Sequence, residues 1–178
     1  MEPTGGTAIN PAQYSKFMST LHWLMAALVI LTYITSEGDL NTHSDTPTVH
    51  ILLGLSVLTL TLPRLLWRLL VGVPSPLDTF SKRWTRMAAI GHATLYMFLF
   101  AVPLTGWITL SRLGLNVELF GRTWPLLTAS VAGEPGLIAN VHQVGGNLLM
   151  GTAAAHAAFG LWHFFWLRDK TLQRMWPF

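Results

Sequence analysis

Val141 to Leu167 reads VHQVGGNLLMGTAAAHAAFGLWHFFWL, twenty-seven residues without an acidic residue, lysine or arginine. About 20 predominantly apolar residues suffice to cross the hydrocarbon core of a bilayer. No water is present there to satisfy the backbone, so a spanning segment of this kind is a helix. Three ionisable side chains nevertheless interrupt it, His142, His156 and His163. At 100° per residue, the 14-residue step from His142 to His156 is nearly four turns. Both imidazoles therefore lie on one helix face, about 21 Å apart along the axis. His163 follows seven residues later on almost the same face.

Three further stretches have the same character: about Phe17 to Ser36, Thr48 to Leu70 and Met87 to Leu110. The 178-residue chain is 51% hydrophobic and 11% charged, against about 25% charged for ordinary globular proteins. That balance excludes a disordered chain. The chain has no cysteine, which rules out disulfides, iron–sulfur clusters and c-type haem attachment. The basic residues flank the spans and form no soluble basic face, so nucleic acid is not an expected partner. The expected fold is all-α, one four-helix integral membrane bundle occupying residues 1–178. The first 16 residues are polar and lack the pattern of a cleaved signal. Pro63 and Pro103 are candidates to kink their spans. LGLNVELF and WPLLTASV, in the long 3–4 connection, suggest a short helix lying on the outer surface.

Four spans put both termini on one side. That side carries Lys16, Arg64, Arg68, Lys82, Arg83, Arg86, Arg168, Lys170 and Arg174, whereas the other carries only Arg112 and Arg122. Basic residues collect on the cytoplasmic side, so both termini are expected in the cytoplasm.

Six of the seven histidines fall in spans: His22, His50, His92, His142, His156 and His163, with His43 in a loop. A single buried histidine is as readily a hydrogen-bonded core residue as a ligand. Six in four spans point to cofactor ligation. Span two starts outside, which puts His50 level with His142. Span one starts inside, which puts His22 level with His156, and span three places His92 at a similar depth. Two stacked bis-histidine sites follow, with His22 and His92 both open as the inner partner of His156. Zinc favours four ligands in a polar setting. Haem supplies four nitrogens of its own and needs only axial ligands, so b-type haem is the better match. Gly54, Gly145, Gly146, Gly151 and Gly160 lie close to these histidines, where they allow a flat macrocycle to approach or serve helix packing. Arg64 and Arg68, at the inner end of span two, are candidates to pair with haem propionates. Their plainer role is to set topology and snorkel.

The combination resembles the bacterial cytochrome b561 family. It consists of LHW opening span one, His50 with Gly54 and RLLWR in span two, GH in span three, the span-four histidines and the tail FFWLRDKTLQRMWP. The likeness runs from Tyr14 to Pro177. It implies a bacterial inner-membrane protein with two haem b groups, His22 and His156 holding the inner iron and His50 and His142 the outer. It also implies electron exchange with ubiquinone. The family includes a superoxide oxidase that takes electrons from superoxide at the outer face. Histidines matching His92 and His163 then lie near the quinone, with Lys82, Arg86, Trp166, Arg168 and Lys170 as neighbours. An imidazole titrates near neutrality and suits proton handling, His163 at the wet edge more so.

The outer connections depart from a site built to attract an anion. Glu37, Asp39, Asp45, Glu118 and Glu134 stand against Arg112 and Arg122, a formal charge of −3. Such a face suits a basic redox partner protein better than superoxide. Three readings follow: a dihaem quinone-reactive oxidoreductase, a cytochrome b subunit linking a partner dehydrogenase to the quinone pool, and a haem-free transporter or proton channel.

Overall fold

A computed structural model describes residues 13–36, 48–75, 81–115, 118–119, 122–130 and 136–176. His43 and the acidic residues Glu37, Asp39, Asp45 and Glu134 lie outside them. Four helices are long and apolar enough to cross a membrane: α1 (Lys16–Ile34), α2 (Thr48–Val71), α3 (Lys82–Arg112) and α4 (Leu137–Trp162). A π-helical turn, His163–Leu167, extends α4. The 19 residues of α1 reach about 28 Å, close to the roughly 30 Å hydrocarbon thickness. Its start is fixed by Ser15, whose side chain accepts a hydrogen bond from Met18 N at 3.3 Å.

α2 and α3 run unbroken through Pro63 and Pro103. α3 starts five residues before the expected span, taking in KRWTR. Lysine and arginine are good helix formers, and their stems can lie along apolar surface while the charges reach water.

The expected surface helix in the 3–4 connection does not form among the described residues. Two short strands take its place, β1 (Glu118–Leu119) and β2 (Arg122–Thr123), paired antiparallel with Glu118 opposite Thr123. Gly114 ends α3 at φ +67°, a left-handed turn that glycine takes without a Cβ clash. Pro125 then disfavours helix at Trp124. The segment after β2 docks on α3 instead. Trp107 Nε1 donates to Pro125 O at 3.0 Å, and Leu127 N donates to Ser111 Oγ at 3.0 Å. The rings of Trp107 and Trp124 meet at 5.0 Å over buried Ile51 and Leu55.

α1 packs on α2, α2 on α3 and α3 on α4, whereas α1 touches α4 only lightly and α2 and α4 make no substantial contact. Among the described residues few side chains are buried against protein, Met18, Leu21, Met25, Ile51, Leu55, Val57 and Leu149 being the apolar ones. Leu69, Leu70 and Ile90 are largely exposed, as suits a surface solvated by lipid tails.

The tail returns across one end of the bundle. Arg168 adopts a left-handed conformation, and a 3₁₀ turn follows at Gln173–Met175. Trp23 Nε1 donates to Met175 O at 2.9 Å, Tyr14 N to Arg174 O at 3.3 Å and Arg174 Nη1 to Ser75 O at 2.9 Å. The start of α1 and the end of α2 are thereby tied to residues beyond α4.

Candidate haem and quinone site

The intramembrane histidines meet at two levels of α4. At one, His50 of α2 faces His142 with ring centroids 6.0 Å apart and planes at 86°. At the other, His22 of α1 faces His156 at 6.2 Å and 77°. His92 of α3 also reaches His156, at 5.2 Å and 71°. The first two couples join helices that scarcely pack on each other, α2 with α4 and α1 with α4.

That spacing can be compared with ligand chemistry. A metal–imidazole bond of about 2.0 Å on each side, plus about 1.1 Å from nitrogen to ring centre, puts two axial imidazole centroids about 6 Å apart. His50–His142 and His22–His156 meet this distance, and His92–His156 falls short of it. Among the described residues no three His, Asp or Glu side chains form a metal cage. The donor set is one of couples, as an axially ligated porphyrin needs.

Hydrogen bonds define the free nitrogens. A carbonyl only accepts, so His142 donates Nδ1–H to Val102 O at 2.9 Å and His50 donates Nδ1–H to Thr32 O at 2.8 Å. Each neutral ring then keeps its lone pair on Nε2, the arrangement by which outer partners orient ligating histidines. His92 donates Nδ1–H to Ala88 O at 2.7 Å. His22 differs. Arg64 Nη2 lies 3.0 Å from His22 Nδ1, and a guanidinium can only donate. Nδ1 is therefore the acceptor, and Nε2 of the neutral ring carries the proton. Metal ligation through Nε2 requires Arg64 to let go of this ring.

Arg64 has a second destination close by. Its Nη1 donates to Met18 O at 3.1 Å. Tyr96 Oη is buried beside the guanidinium without a hydrogen bond of normal geometry, and Arg68 lies over the Tyr96 ring at 5.9 Å. Two guanidinium groups and the buried phenol beside them make a ready cradle for a carboxylate. Tyr96 escapes a reading based on histidines and charges, because its partners come from another helix.

Gly106 is a second residue that spacing does not reveal. A Cβ there would come 2.8 Å from His142 Cε1, and the imidazole is pinned by Val102 O. Of the glycines singled out in the sequence, Gly145 has Val102 close by, and a Cβ added there would come 3.2 Å from Val102 Cγ2. A Cβ on Gly54 or Gly160 would meet its neighbour at ordinary distance, and one on Gly146 or Gly151 would meet nothing within 4 Å.

At the far end of α4, His163 is buried and donates Nδ1–H to Asp169 Oδ2 at 2.6 Å. Burial works to raise the Asp169 carboxyl, but hydrogen bonds from Thr171 and His163 outweigh it and hold the group below its ordinary value. The carboxylate thus stays charged through the neutral range, and its contribution is lost only as pH falls through that depressed pKa. Trp162 packs 5.6 Å from His163 and 6.3 Å from Trp84. Lys82, Arg86, Trp166, Arg168 and Lys170 are all exposed around this end.

The sequence model described as "Prokaryotic cytochrome b561" matches residues 13–178. The chain belongs to the prokaryotic cytochrome b561 family. It is therefore a multi-pass membrane b-type cytochrome, and family membership implies binding of haem b. It is 26% identical over 175 residues to "Cytochrome b561 homolog 2" of Escherichia coli (strain K12), covering 93% of this chain and 92% of that protein. It is 30% identical over 172 residues to "Cytochrome b562" of Cereibacter sphaeroides, covering 91% and 94%. With "Probable superoxide oxidase CybB" of Yersinia pestis it shares 27% identity over 169 residues, covering 93% and 96%.

If His142 holds a haem, Gly106→Val is expected to push the ring off Val102 O and deplete that haem, while any haem at the His156 level should be kept. Pyridine haemochrome content per chain is the measurement, and full retention of haem would show that the imidazole can simply step aside.

Proposed function

We propose that this cytochrome b561 is a dihaem, quinone-reactive electron-transfer protein of the bacterial inner membrane. Residues 1–178 form a single domain with both termini in the cytoplasm. The observation that carries the reading is the pair of histidine couples, each about 6 Å across and separated by about 21 Å of helix rise. His50 and His142 hold the iron on the outer side, and His22 and His156 hold it on the inner. Haem b supplies one-electron chemistry at each level. With haem bound, Arg64 would leave His22 and join Arg68 and Tyr96 in holding a propionate, which would release His22 Nε2 from its proton and put the buried phenol to use.

His92 and His163 handle protons for ubiquinone at the inner edge. The electron source at the outer face is superoxide or a redox protein. The relative named as a probable superoxide oxidase supports the first. The formal outer charge of −3 supports a basic protein, including the alternative in which this chain links a partner dehydrogenase to quinone.

Purified protein should give a b-type α band after dithionite and two haems per chain. Colourless protein, or one haem when fully loaded, overturns the reading. Stopped-flow haem reduction by a superoxide burst, with and without ubiquinone, tests the donor. Attraction of superoxide makes the rate fall with added salt, repulsion makes it rise, and no reduction at all favours a protein donor.

A further inference from the structure

The tight contact between His163 and Asp169 is built by unusual backbone. α4 does not end in a normal last turn. It widens into the π-helical turn His163–Leu167, a form frequent at functional sites. Arg168 then takes φ 51° and ψ 35°, the left-handed region that a side chain other than glycine rarely adopts. Together they reverse the chain, so that Asp169 N donates back to His163 O at 3.3 Å. The carboxylate arrives under the imidazole it faces. Its other oxygen, Oδ1, accepts from Thr171 N at 2.8 Å, which fixes the rotamer. His163 and Asp169 side chains are 10% and 15% exposed. Such backbone strain persists only where its surroundings over-determine it.

We propose that Asp169 is the positioning residue for His163, holding its proton on Nδ1 so that Nε2 is the nitrogen offered to a cyclic conjugated dicarbonyl or its aromatic diphenol, a membrane quinone. The inference rests on the quinone reading above and adds the group that makes His163 competent. The ligand approaches along a rim of flat side chains, Trp162, Phe164, Phe165 and Trp166, that are exposed beside His163. Oxidation of the diphenol to the dicarbonyl releases two protons and two electrons, which two bound haems would accept one each. One proton passes from a ligand hydroxyl to the unprotonated Nε2, the other to water. The ring, protonated on both nitrogens, keeps Nδ1–H on the ionised Asp169 and returns the Nε2 proton to water.

Asp169→Asn tests this with little change of shape. An amide can turn its N–H₂ toward Nδ1 and force the other tautomer, the kind of failure known when a histidine loses its orienting carboxylate. The measurement is stopped-flow haem reduction by decylubiquinol in the wild type, Asp169→Asn, Asp169→Glu, His163→Ala and the double variant His163→Ala with Asp169→Asn. Haem content is measured in each.

The limiting rate of Asp169→Asn should fall about 10-fold or more, with half-saturation within about 2-fold of the wild type. Asp169→Glu should recover part of the rate, and Asp169→Asn should add less than about 2-fold in the His163→Ala background. Unchanged rates in Asp169→Asn overturn the proposal, as do losses that multiply in the double variant or that only track lost haem. Wild-type protein that dithionite reduces but decylubiquinol does not overturns the quinone reading itself.

Discussion

His142→Ala is expected to leave the protein with one haem in place of two. The couple His50–His142 links helices that barely touch, so among the described residues little else bridges α2 and α4 at that level. Axial imidazoles are the only bonds the protein offers a porphyrin iron, and an alanine cannot substitute. His50→Ala should have the same outcome. In each variant the remaining haem should keep its spectrum and potential, because the His156 level lies about 21 Å away along α4. Pyridine haemochrome analysis gives the haem count, and a redox titration should collapse from two components to one. Loss of both haems together would mean that the two levels are not separate sites.

His22→Ala and His92→Ala should part company just as sharply. Both rings contact His156, at 6.2 and 5.2 Å. Only the longer separation accommodates an iron between two imidazoles, whose centroids need about 6 Å. His22→Ala is therefore expected to abolish the inner haem, with His156→Ala as its equivalent. His92→Ala should retain haem at close to the wild-type ratio while slowing exchange with quinol. Inner haem lost in His92→Ala and kept in His22→Ala would reverse the assignment. The distinction is read from haem content before any activity is measured, so the two variants need no electron donor.

The vertical arrangement of this molecule is legible in the sequence, the lateral arrangement much less so. Apolar length reveals four helices, and the 14-residue interval in α4 sets two levels. Span direction then gives each remaining histidine a depth. Depth says nothing about neighbours around the bundle, so His22 and His92 are indistinguishable until helix contacts bring both against His156. Tyr96 is silent for the same reason, since its significance comes from arginines on α2. Gly106 looks like any small residue in a membrane helix until α4 lays an imidazole across it. Asp169 does carry a signal, as the sole acidic residue after Glu134. Its reach to His163 depends on a π turn and a left-handed arginine that local propensities do not favour. The 3–4 connection misleads because its apolar content suggests a helix, whereas Gly114 and Pro125 divert it into strands and an extended segment docked on Trp107.

The strap formed by Arg174, Met175 and Trp176 has a consequence for biogenesis. These residues are synthesised after all four helices, yet they tie the opening of the first helix to the exit of the second. Until they emerge, the bonds from Trp23 to Met175, from Tyr14 to Arg174 and from Arg174 to Ser75 cannot form, so this cross-link between the first two helices is among the last contacts the fold acquires.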